Sequence, residues 1–304
     1  MCYAIPGRIT GIEKGIAVVD YFGEKRNVLC DFADVRIGEY VYAQGGVLIS
    51  KIPAKEALEI LEAWRERFFQ LKEVDRKSAM VHGEGASDNI LGILQKVSTG
   101  REISREEALE LLRSEEKEDL RLLMDTANNL RQRDHDNACC VHGIIEFSNY
   151  CGNDCFYCGI RQSSPVKRYR MTPEEIIEAA RHAARDLGFK ALVLQSGDDL
   201  WYDDDRLAHI VREVRKLGVL IFLSIGLRSK ETYRRLYDAG ARAALLRFET
   251  SNRDIFHKLR PGTTFDERVD LIRHLKELGY VVATGFLVGL PGESDEDLIE
   301  NIML

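Results

Sequence analysis

The hydrophobic pattern of the first 75 residues changes once, from short alternating runs to a helical periodicity. Alternating apolar residues at 15–20 and 39–43 are typical of strands, and glycine-containing segments at 22–24 and 45–46 indicate turns or bulges. From about Ala54 to Glu73, apolar side chains recur at spacings of three and four, as in an amphipathic helix. The pattern therefore predicts a small β unit followed by one helix.

After this helix the chain loses its periodicity and takes on the composition of a linker. We therefore predict a first domain at 1–76, a linker at 77–88 and a second domain at 89–304. The second domain is predicted to begin with helices, because Ser104 starts a Ser-Arg-Glu-Glu sequence that fits a capping box.

From residue 142 onward, predicted strands and helices alternate. The strands are predicted at 143–148, 191–195, 219–224, 243–247 and 281–288. The helices are predicted to open at Thr172 and to lie near 204–217, 229–239, 265–278 and 294–304. This alternation predicts an α/β fold with a parallel sheet and helices outside it. It leaves open whether the sheet is doubly wound or forms a closed or partial TIM-like barrel.

Composition and charge narrow the classes of partner. The 304 residues carry a formal net charge of −7, which argues against nucleic acid, because a phosphate-binding surface needs clustered Lys and Arg. A local basic group at Lys167, Arg168 and Arg170 is interpreted as a solvated loop. No apolar run approaches transmembrane length, so a cytoplasmic protein without a membrane partner is predicted. Its seven cysteines are then expected to be reduced, metal-bound or inert.

Three cysteines follow the predicted strand 143–148 directly. Cys151, Cys155 and Cys158 lie in a βα loop, and such loops open onto the face of a parallel sheet where active sites are found. Thiolates are the usual ligands of iron–sulfur clusters. Three of them can hold one cubane and leave its fourth iron without a protein ligand, and an open metal position is what distinguishes a catalytic site from a structural one.

Three other interpretations of these cysteines compete with a metal cluster. The same spacing marks one face of a helix, but the flanking Asn149, Gly152 and Asn153 are poor residues for a helix interior. Zinc would need a fourth ligand, and no His follows at ligand spacing. Disulfide pairing is disfavoured in a cytosolic protein. A metal cluster is therefore predicted.

Charged side chains follow several of the predicted strands. A bound amino acid needs a carboxylate for its ammonium group and an arginine for its carboxylate. Asp198, Arg247 and Glu249 would supply these groups if the sheet is parallel. Each residue alone is explained as a solvated loop charge or a structural ion pair. Together, at successive strand ends, they predict a site for a ligand of this kind.

The cysteine motif, Cys-x3-Cys-x2-Cys with an aromatic residue before the last cysteine, resembles the radical S-adenosylmethionine (SAM) superfamily. The segments 143–151, 168–175, 194–199 and 246–250 resemble the HydE family, whose members are maturases of the [FeFe]-hydrogenase H-cluster. The resemblance covers about residues 100–304. It implies a partial TIM-like (β/α) barrel, a [4Fe–4S] cluster and SAM as cofactors, and an external electron donor.

The resemblance also implies roles for particular residues. Cys151, Cys155 and Cys158 would bind the cluster, and the amino and carboxylate groups of SAM would bind its fourth iron. The residues implied to surround SAM are Tyr157, near the adenine; Gln195, Ser196, Gly197 and Asp198, which receive the amino group; Arg247, Glu249 and Arg268, around the ribose and carboxylate; and 285–291, under the adenine. Asp198 replaces a family glutamate. Phe248 replaces a family histidine, a change expected on the substrate side of the cavity.

The N-terminal segment 1–8, Met-Cys-Tyr-Ala-Ile-Pro-Gly-Arg, resembles the HypC/HupF chaperones of [NiFe]-hydrogenase maturation. This resemblance covers about residues 1–75. It implies a small β-barrel with a C-terminal helix, contact with hydrogenase maturation proteins, and a role for Cys2 in carrying an iron unit. Gln44 replaces a family histidine and is a poor iron ligand, so a docking or delivery role is an equal expectation. Cys30 is expected to be a buried small hydrophobe, and Cys139 with Cys140 to be structural.

Taken together, the resemblances imply an enzyme that cleaves SAM reductively to a 5′-deoxyadenosyl radical during assembly of a hydrogenase metal cofactor. Its substrate would be a small molecule or an iron complex. One alternative is another enzyme of the biotin synthase and methylornithine synthase branch, although biotin synthase needs cysteines beyond Cys158. A second alternative is a non-catalytic scaffold or carrier, because five strands are predicted where the full family barrel has more, as if C-terminal strands were missing.

Overall fold

A computed structural model describes residues 5–31, 33–78, 84–135 and 141–304. Its N-terminal strands are β1 (Gly7–Glu13), β2 (Ile16–Tyr21), β3 (Glu24–Leu29), β4 (Tyr40–Gln44) and β5 (Val47–Ile52). These strands close into a barrel in the order β1-β2-β3-β5-β4. Inward side chains such as Ile9, Val19 and Val41 are buried, and burying them from water drives closure. The predicted small β-barrel is confirmed.

Four helices follow the barrel: α1 (Ala54–Ser78), α2 (Asp88–Ser98), α3 (Arg105–Leu112) and α4 (Lys117–His135). The predicted capping box is present at the start of α3. The Ser104 side chain accepts from the backbone N–H of Glu107, and the Glu107 carboxylate accepts from that of Ser104. Two otherwise unpaired N–H groups are thereby satisfied. Apolar side chains of α2, α3 and α4, among them Ile90, Leu111 and Leu122, pack into one small core.

Residues 141–304 form the predicted β/α succession. The strands are β6 (Gly143–Ser148), β7 (Ala191–Ser196), β8 (Leu220–Ser224), β9 (Ala243–Leu245) and β10 (Val281–Ala283). The helices are α5 (Pro173–Arg185), α6 (Asp204–Arg215), α7 (Lys230–Ala239), α8 (Arg253–Leu259), α9 (Phe265–Glu277) and α10 (Asp295–Met303). The paired strands run parallel, in the sequential order β10-β9-β8-β7-β6. A doubly wound sheet reverses its strand order at a switch point, so this order confirms the partial TIM-like barrel.

The two faces of this sheet differ in chemistry. One face contributes Ile145, Leu192, Leu194 and Ile221 to the main core, which also takes in apolar side chains from α5, α6 and α7. On the other face, Glu146 pairs in register with Gln195, Gln195 with Ser224, and Leu245 with Ala283. Because side chains alternate between faces along a strand, the second face presents a row that includes polar groups.

The chain divides into two compact units. The first contains Met1–Tyr42, Lys51–Cys139 and Ser294–Met303, and the second contains Ala43–Ser50, Cys140–Glu293 and Leu304. The predicted domain bounds at 1–76, 77–88 and 89–304 stay predictions. Among the described residues, no helix combines the length and the apolar character that crossing a membrane requires.

Candidate active site

The cysteine loop, residues 149–170, connects β6 to α5. It is irregular backbone over the three cysteines rather than an α-helix, so the helical interpretation of their spacing is wrong. Within the described residues Cys151, Cys155 and Cys158 are free thiols; Cys155 is buried and the other two are partly exposed. The backbone N–H of Cys158 donates to the carbonyl of Cys155 over 3.0 Å, which turns the chain tightly between them.

Arg168 holds the loop together from inside. Its guanidinium donates to the backbone carbonyls of Asn149, Ile160, Arg161, Gln162 and Ser164. Arginine has five N–H donors in a rigid planar group and is suited to this bridging role. The interpretation of Arg168 as a solvated side chain is therefore wrong.

Arg170 is also engaged within the protein, against the buried carboxylate of Asp199. Its Nε and Nη2 donate to Asp199 over 2.7 and 2.9 Å, and its guanidinium lies 3.7 Å from the centre of the Tyr150 ring. Ser148 Oγ donates to the same carboxylate over 2.7 Å. Burial alone would raise the pKa of Asp199, but the hydrogen bonds from Arg170 and Ser148 lower it below the usual value. Of the predicted basic group, Lys167 and Arg170 are exposed and Arg168 is partly buried.

The end of β7 lies directly against the cysteine loop. A Cβ atom on Gly197 would overlap the carbonyl oxygen of Tyr150 and lie 2.7 Å from Cys151 Cβ. The backbone N–H of Gly152 donates to the carbonyl of Asp198 over 3.0 Å. Only glycine allows this close approach of two backbones. Gly197 thus acts in positioning the first cysteine.

The Asp198 side chain is used within the protein. Its Oδ1 accepts from the backbone N–H of Leu227 over 2.8 Å, and its Oδ2 accepts from the side chain of Asn153. Arg260 Nη2 lies 3.6 Å from Oδ2. Gly226 leaves room for this carboxylate, because a Cβ there would overlap it. Asp198 therefore connects the ends of β7 and β8 to the cysteine loop.

The end of β9 holds a buried carboxylate–guanidinium pair. Glu249 is 6 % exposed and has a positive φ of 71°, a backbone conformation that costs energy for a residue other than glycine. Arg268 Nη2 lies 3.5 Å from Glu249 Oε1, and Arg247 Nε lies 3.9 Å from Oε2. Glu249 Oε2 and Arg268 Nη1 are nevertheless buried without a hydrogen-bond partner. Such unsatisfied groups are expensive unless a ligand completes them.

Tyr157 links the cysteine loop to the end of α8. Its hydroxyl accepts from Arg260 Nη1 over 3.1 Å. Burial raises the pKa of Tyr157 above its usual value, and the negative charge of Glu249 adds to this shift. Burial also raises the pKa of the Cys155 thiol, while the positive charge of Arg260 opposes the rise.

A cavity of about 440 Å³ opens at the carboxyl edge of the sheet. It is lined by the predicted residues Gln195, Ser196 and Arg247, and also by Glu146, Ser148, Asn149, Ile160, Tyr169, Ser224, Leu245, Ala283 and Thr284. Gln195 Nε2 donates to Glu146 Oε1 over 3.0 Å. Glu146 is not among the predicted site residues, although a lone carboxylate within the apolar strand Gly143–Ser148 is a usable signal for it.

Other predicted residues lie away from this cavity or outside the described residues. Phe248 packs in a buried aromatic cluster with Phe256 and Phe265 and does not line this cavity; its effect on the substrate side stays a prediction. Cys30 is buried, as predicted. Gln44 is buried and donates to the carbonyl of Val141 over 3.2 Å. Three predicted positions, Cys2, Cys139 and Cys140, lie outside the described residues.

The donor set of the site suits an iron–sulfur cluster and a polar cofactor. Among the described residues, no three Cys, His, Asp or Glu side chains converge as ligands of a single metal ion; the ligands of a cubane bind different iron atoms and stand further apart. Three free thiols on one fixed loop match the cluster. The unsatisfied oxygen of Glu249 and nitrogen of Arg268 match a ligand that carries both charges.

The chain is similar to curated proteins of known activity. It is 42% identical to the [FeFe] hydrogenase maturase subunit HydE of Thermotoga maritima, over 69% of this chain and 60% of that protein. It is 32% identical to the 3-methylornithine synthase of Methanosarcina barkeri, over 70% and 62%. The chain thus spans about three fifths of the length of these relatives.

Solved structures share its fold. The crystal structure of methylornithine synthase (PylB) superposes with a TM-score of 0.65 at 32% identity, covering 69% of this chain and 63% of that one. HydG, a maturase of the [FeFe]-hydrogenase, superposes with a TM-score of 0.63 at 24% identity, covering 77% and 52%. The second likeness shows the fold alone.

Family models match both parts of the chain. The HupF/HypC family matches residues 1–64, and the Radical SAM superfamily matches residues 145–304. The resemblances to HydE and to HypC are thereby confirmed. Members of the Radical SAM superfamily use a [4Fe–4S] cluster together with S-adenosylmethionine. The chain belongs to the Radical SAM superfamily.

Proposed function

We propose that this chain is a radical SAM enzyme that acts in the assembly of a hydrogenase metal cofactor. The observation that carries the proposal is the placement of three free thiols on a protein-braced loop, together with the buried Glu249–Arg268 pair, whose polar atoms are not all satisfied. When bound, the cluster would supply the electron that splits SAM into methionine and a 5′-deoxyadenosyl radical.

In this proposal, Cys151, Cys155 and Cys158 hold the [4Fe–4S] cluster. Glu249 and Arg268 bind polar groups of SAM, because each has a buried atom without a partner. Arg247, which is half-exposed beside Glu249, adds a second guanidinium for the SAM carboxylate or ribose. Tyr157 lies on the adenine side.

The end of β7 contributes in two different ways. Gln195 and Ser196 face the cavity and orient SAM. Gly197 brings the strand end against Cys151, and Asp198 acts in positioning rather than in direct contact, because both of its oxygens already accept hydrogen bonds.

The cavity at the carboxyl edge of the sheet would receive the substrate. Glu146 and Gln195 form its polar end, and Leu245 with Ala283 its apolar end. A small molecule or an iron complex next to SAM would be shielded from bulk water by the cysteine loop, which protects a reactive radical.

Two similarities support a role in maturation. HydE, the relative at 42% identity, is a maturase subunit of [FeFe] hydrogenase, and residues 1–64 match the HupF/HypC family. We infer that the N-terminal module docks hydrogenase maturation proteins, with Cys2 as a candidate carrier of an iron unit. An external one-electron donor completes the set of partners.

A second candidate function is favoured by the PylB structure, which is 32% identical and superposes with a TM-score of 0.65. In that case the chain would carry out radical chemistry on an amino acid. Incubation of the reconstituted chain with SAM, a reductant and supplied amino acids, followed by a mass-spectrometric search for 3-methylornithine, tests this candidate.

The main proposal is tested by anaerobic iron–sulfur reconstitution of the full chain. The reduced protein should give an EPR signal that changes when SAM is added, and 5′-deoxyadenosine should form. Cys155→Ala should abolish both, whereas Cys30→Ala, which removes a buried thiol of the barrel region, should preserve both. If a cluster binds but its EPR signal does not change when SAM is added, and no 5′-deoxyadenosine forms, the result would favour a scaffold or carrier. It would contradict the enzymatic proposal.

A further inference from the structure

Arg260 is a buried cation that reaches the cysteine loop from the end of α8. It is 6 % exposed. Its Nη1 lies 3.1 Å from the Tyr157 hydroxyl, and its Nε donates to Thr263 Oγ1 over 3.0 Å. The loop approaches α8 through its backbone as well, because the N–H of Phe156 donates to the carbonyl of Leu259 over 2.9 Å. Burying a guanidinium is costly unless anions compensate it.

The compensation that the protein provides is partial. Arg260 Nη2 lies 3.6 Å from Asp198 Oδ2, whereas well-matched guanidinium–carboxylate pairs have contacts of about 2.7–2.9 Å. The Asp198 carboxylate also accepts hydrogen bonds from Leu227 and Asn153. Its charge is therefore shared among several donors, and positive charge from Arg260 is left for another anion nearby.

The cysteine loop would supply that anion once it holds a cluster. Arg260 contacts this loop at Tyr157, two residues from the buried Cys155. Three thiolates outweigh the two positive charges of an oxidised [4Fe–4S] core, so the assembly is anionic, and an added electron makes it more so. A fixed positive charge stabilises the reduced form more than the oxidised form.

We propose that Arg260 is a positioning residue that places a fixed positive charge against the cysteine loop at Tyr157, two residues from Cys155, and thereby raises the reduction potential of the cluster. Its contacts with Tyr157 and Thr263 also fix the α8 side of the cysteine loop. Net charge and hydrogen bonding around the sulfurs are established determinants of cluster potential. The inference rests on the proposed function, since it presumes that the three cysteines bind a cluster.

The test is a redox titration of the reconstituted full chain, with the EPR signal of the reduced cluster as the readout. Arg260→Gln should shift the midpoint to a more negative potential. Asp198→Asn removes the opposing negative charge and should shift it the other way. The matched control is Arg253→Gln, because Arg253 lies on the same helix but pairs with exposed Asp266 at the surface; its midpoint should equal that of the wild type.

A further variant separates charge from geometry. Arg260→Lys keeps the charge and loses the planar group, so its midpoint should stay near that of the wild type while iron is retained less well. An Arg260→Gln protein with full iron content and an unshifted midpoint would overturn the proposal.

If Arg260→Gln binds no cluster, its metal-free form decides the matter. If the metal-free variant unfolds at the same urea concentration as the metal-free wild type, the loss of iron reflects a role of Arg260 toward the cluster and supports the proposal. If it unfolds at a lower urea concentration, a destabilised fold explains the loss of iron, the role is purely structural, and the proposal is overturned. A wild-type chain that binds no cluster would instead refute the proposed function itself.

Discussion

Replacement of Gly197 with alanine would place a methyl group between the end of β7 and the cysteine loop. The added Cβ would lie 2.7 Å from Cys151 Cβ and nearer still to the carbonyl oxygen of Tyr150. Carbon atoms pack at about 3.5–4.0 Å, so the two segments must separate by roughly 1 Å. Neither neighbour can rotate away, because one is backbone and the other is attached directly to it.

The cost of this separation is set by overpacking, which typically destabilises a protein by about 1–3 kcal/mol. We take the upper end, about 3 kcal/mol, because the contact is with backbone. At about 1.4 kcal/mol per tenfold change, this corresponds to roughly a hundredfold loss of the native loop geometry. Gly197→Ala should therefore lower both the urea midpoint of the metal-free chain and the iron bound after reconstitution.

Gly159→Ala is the matched control, because Gly159 lies within the cysteine loop and its Cβ would meet no atom within 4 Å. Its unfolding midpoint and iron content should remain those of the wild type. Equal behaviour of the two alanine variants would refute the inference that close backbone contact at Gly197 shapes the loop.

Three further predictions concern groups around the loop, each measured by urea unfolding. Arg168→Lys should cost about 2–4 kcal/mol, since carbonyl bonds from a charged donor are lost, whereas Lys167→Met should change stability by less than about 0.5 kcal/mol. Asp199→Asn should lower the free energy of unfolding by about 2–4 kcal/mol at pH 7. Because the pKa of Asp199 is lowered in the folded protein, the wild type loses this advantage as its carboxylate is protonated. The difference between wild type and variant should therefore shrink as pH falls below about 3.9. Tyr202→Phe should cost about 1–3 kcal/mol through loss of a donor to two carbonyls. Burial raises the pKa of Tyr202 to about 12, so wild-type stability should also fall as pH rises from about 10, and the variant should lack this component.

The parallel sheet was predictable from sequence because its strands are apolar and its helices carry clear boundary signals. Thr172 and Ser104 open capping boxes as expected. The predicted strands at 243–247 and 281–288 were too long, since β9 ends at Leu245 and β10 at Ala283. Beyond those points the ladder is interrupted, and pairing returns at an isolated bridge between Glu249 and Phe286. Apolar periodicity cannot report such a departure.

The hydrophobic pattern does not predict some other elements, and each has a physical reason. β3 has the sequence Glu-Lys-Arg-Asn-Val-Leu, and it is a strand because it pairs with β2 along its length. Its polar residues show no apolar alternation. α8 has seven residues, too few turns for a 3.6-residue period to emerge. Closure of the barrel depends on pairing between β1 and β4, which was expected from the family resemblance rather than from the residues.

The cysteines were predictable, but the groups that brace their loop were not. Arg168, Gly197 and Arg260 are separated by about thirty to sixty residues, and in sequence the two arginines look like any solvated charge. A parallel sheet brings successive strand ends to one edge, so Asp198 meets the loop at Asn153. Arg260 reaches the loop at Tyr157 from the end of α8. These contacts consist of protein atoms alone. We therefore predict that the fold holds the loop in this geometry before a cluster binds, in contrast to sites that fold only when metal binds. It follows that substitutions at the bracing residues should perturb the metal-free chain as well as the loaded one, which is why both forms are compared for Gly197→Ala.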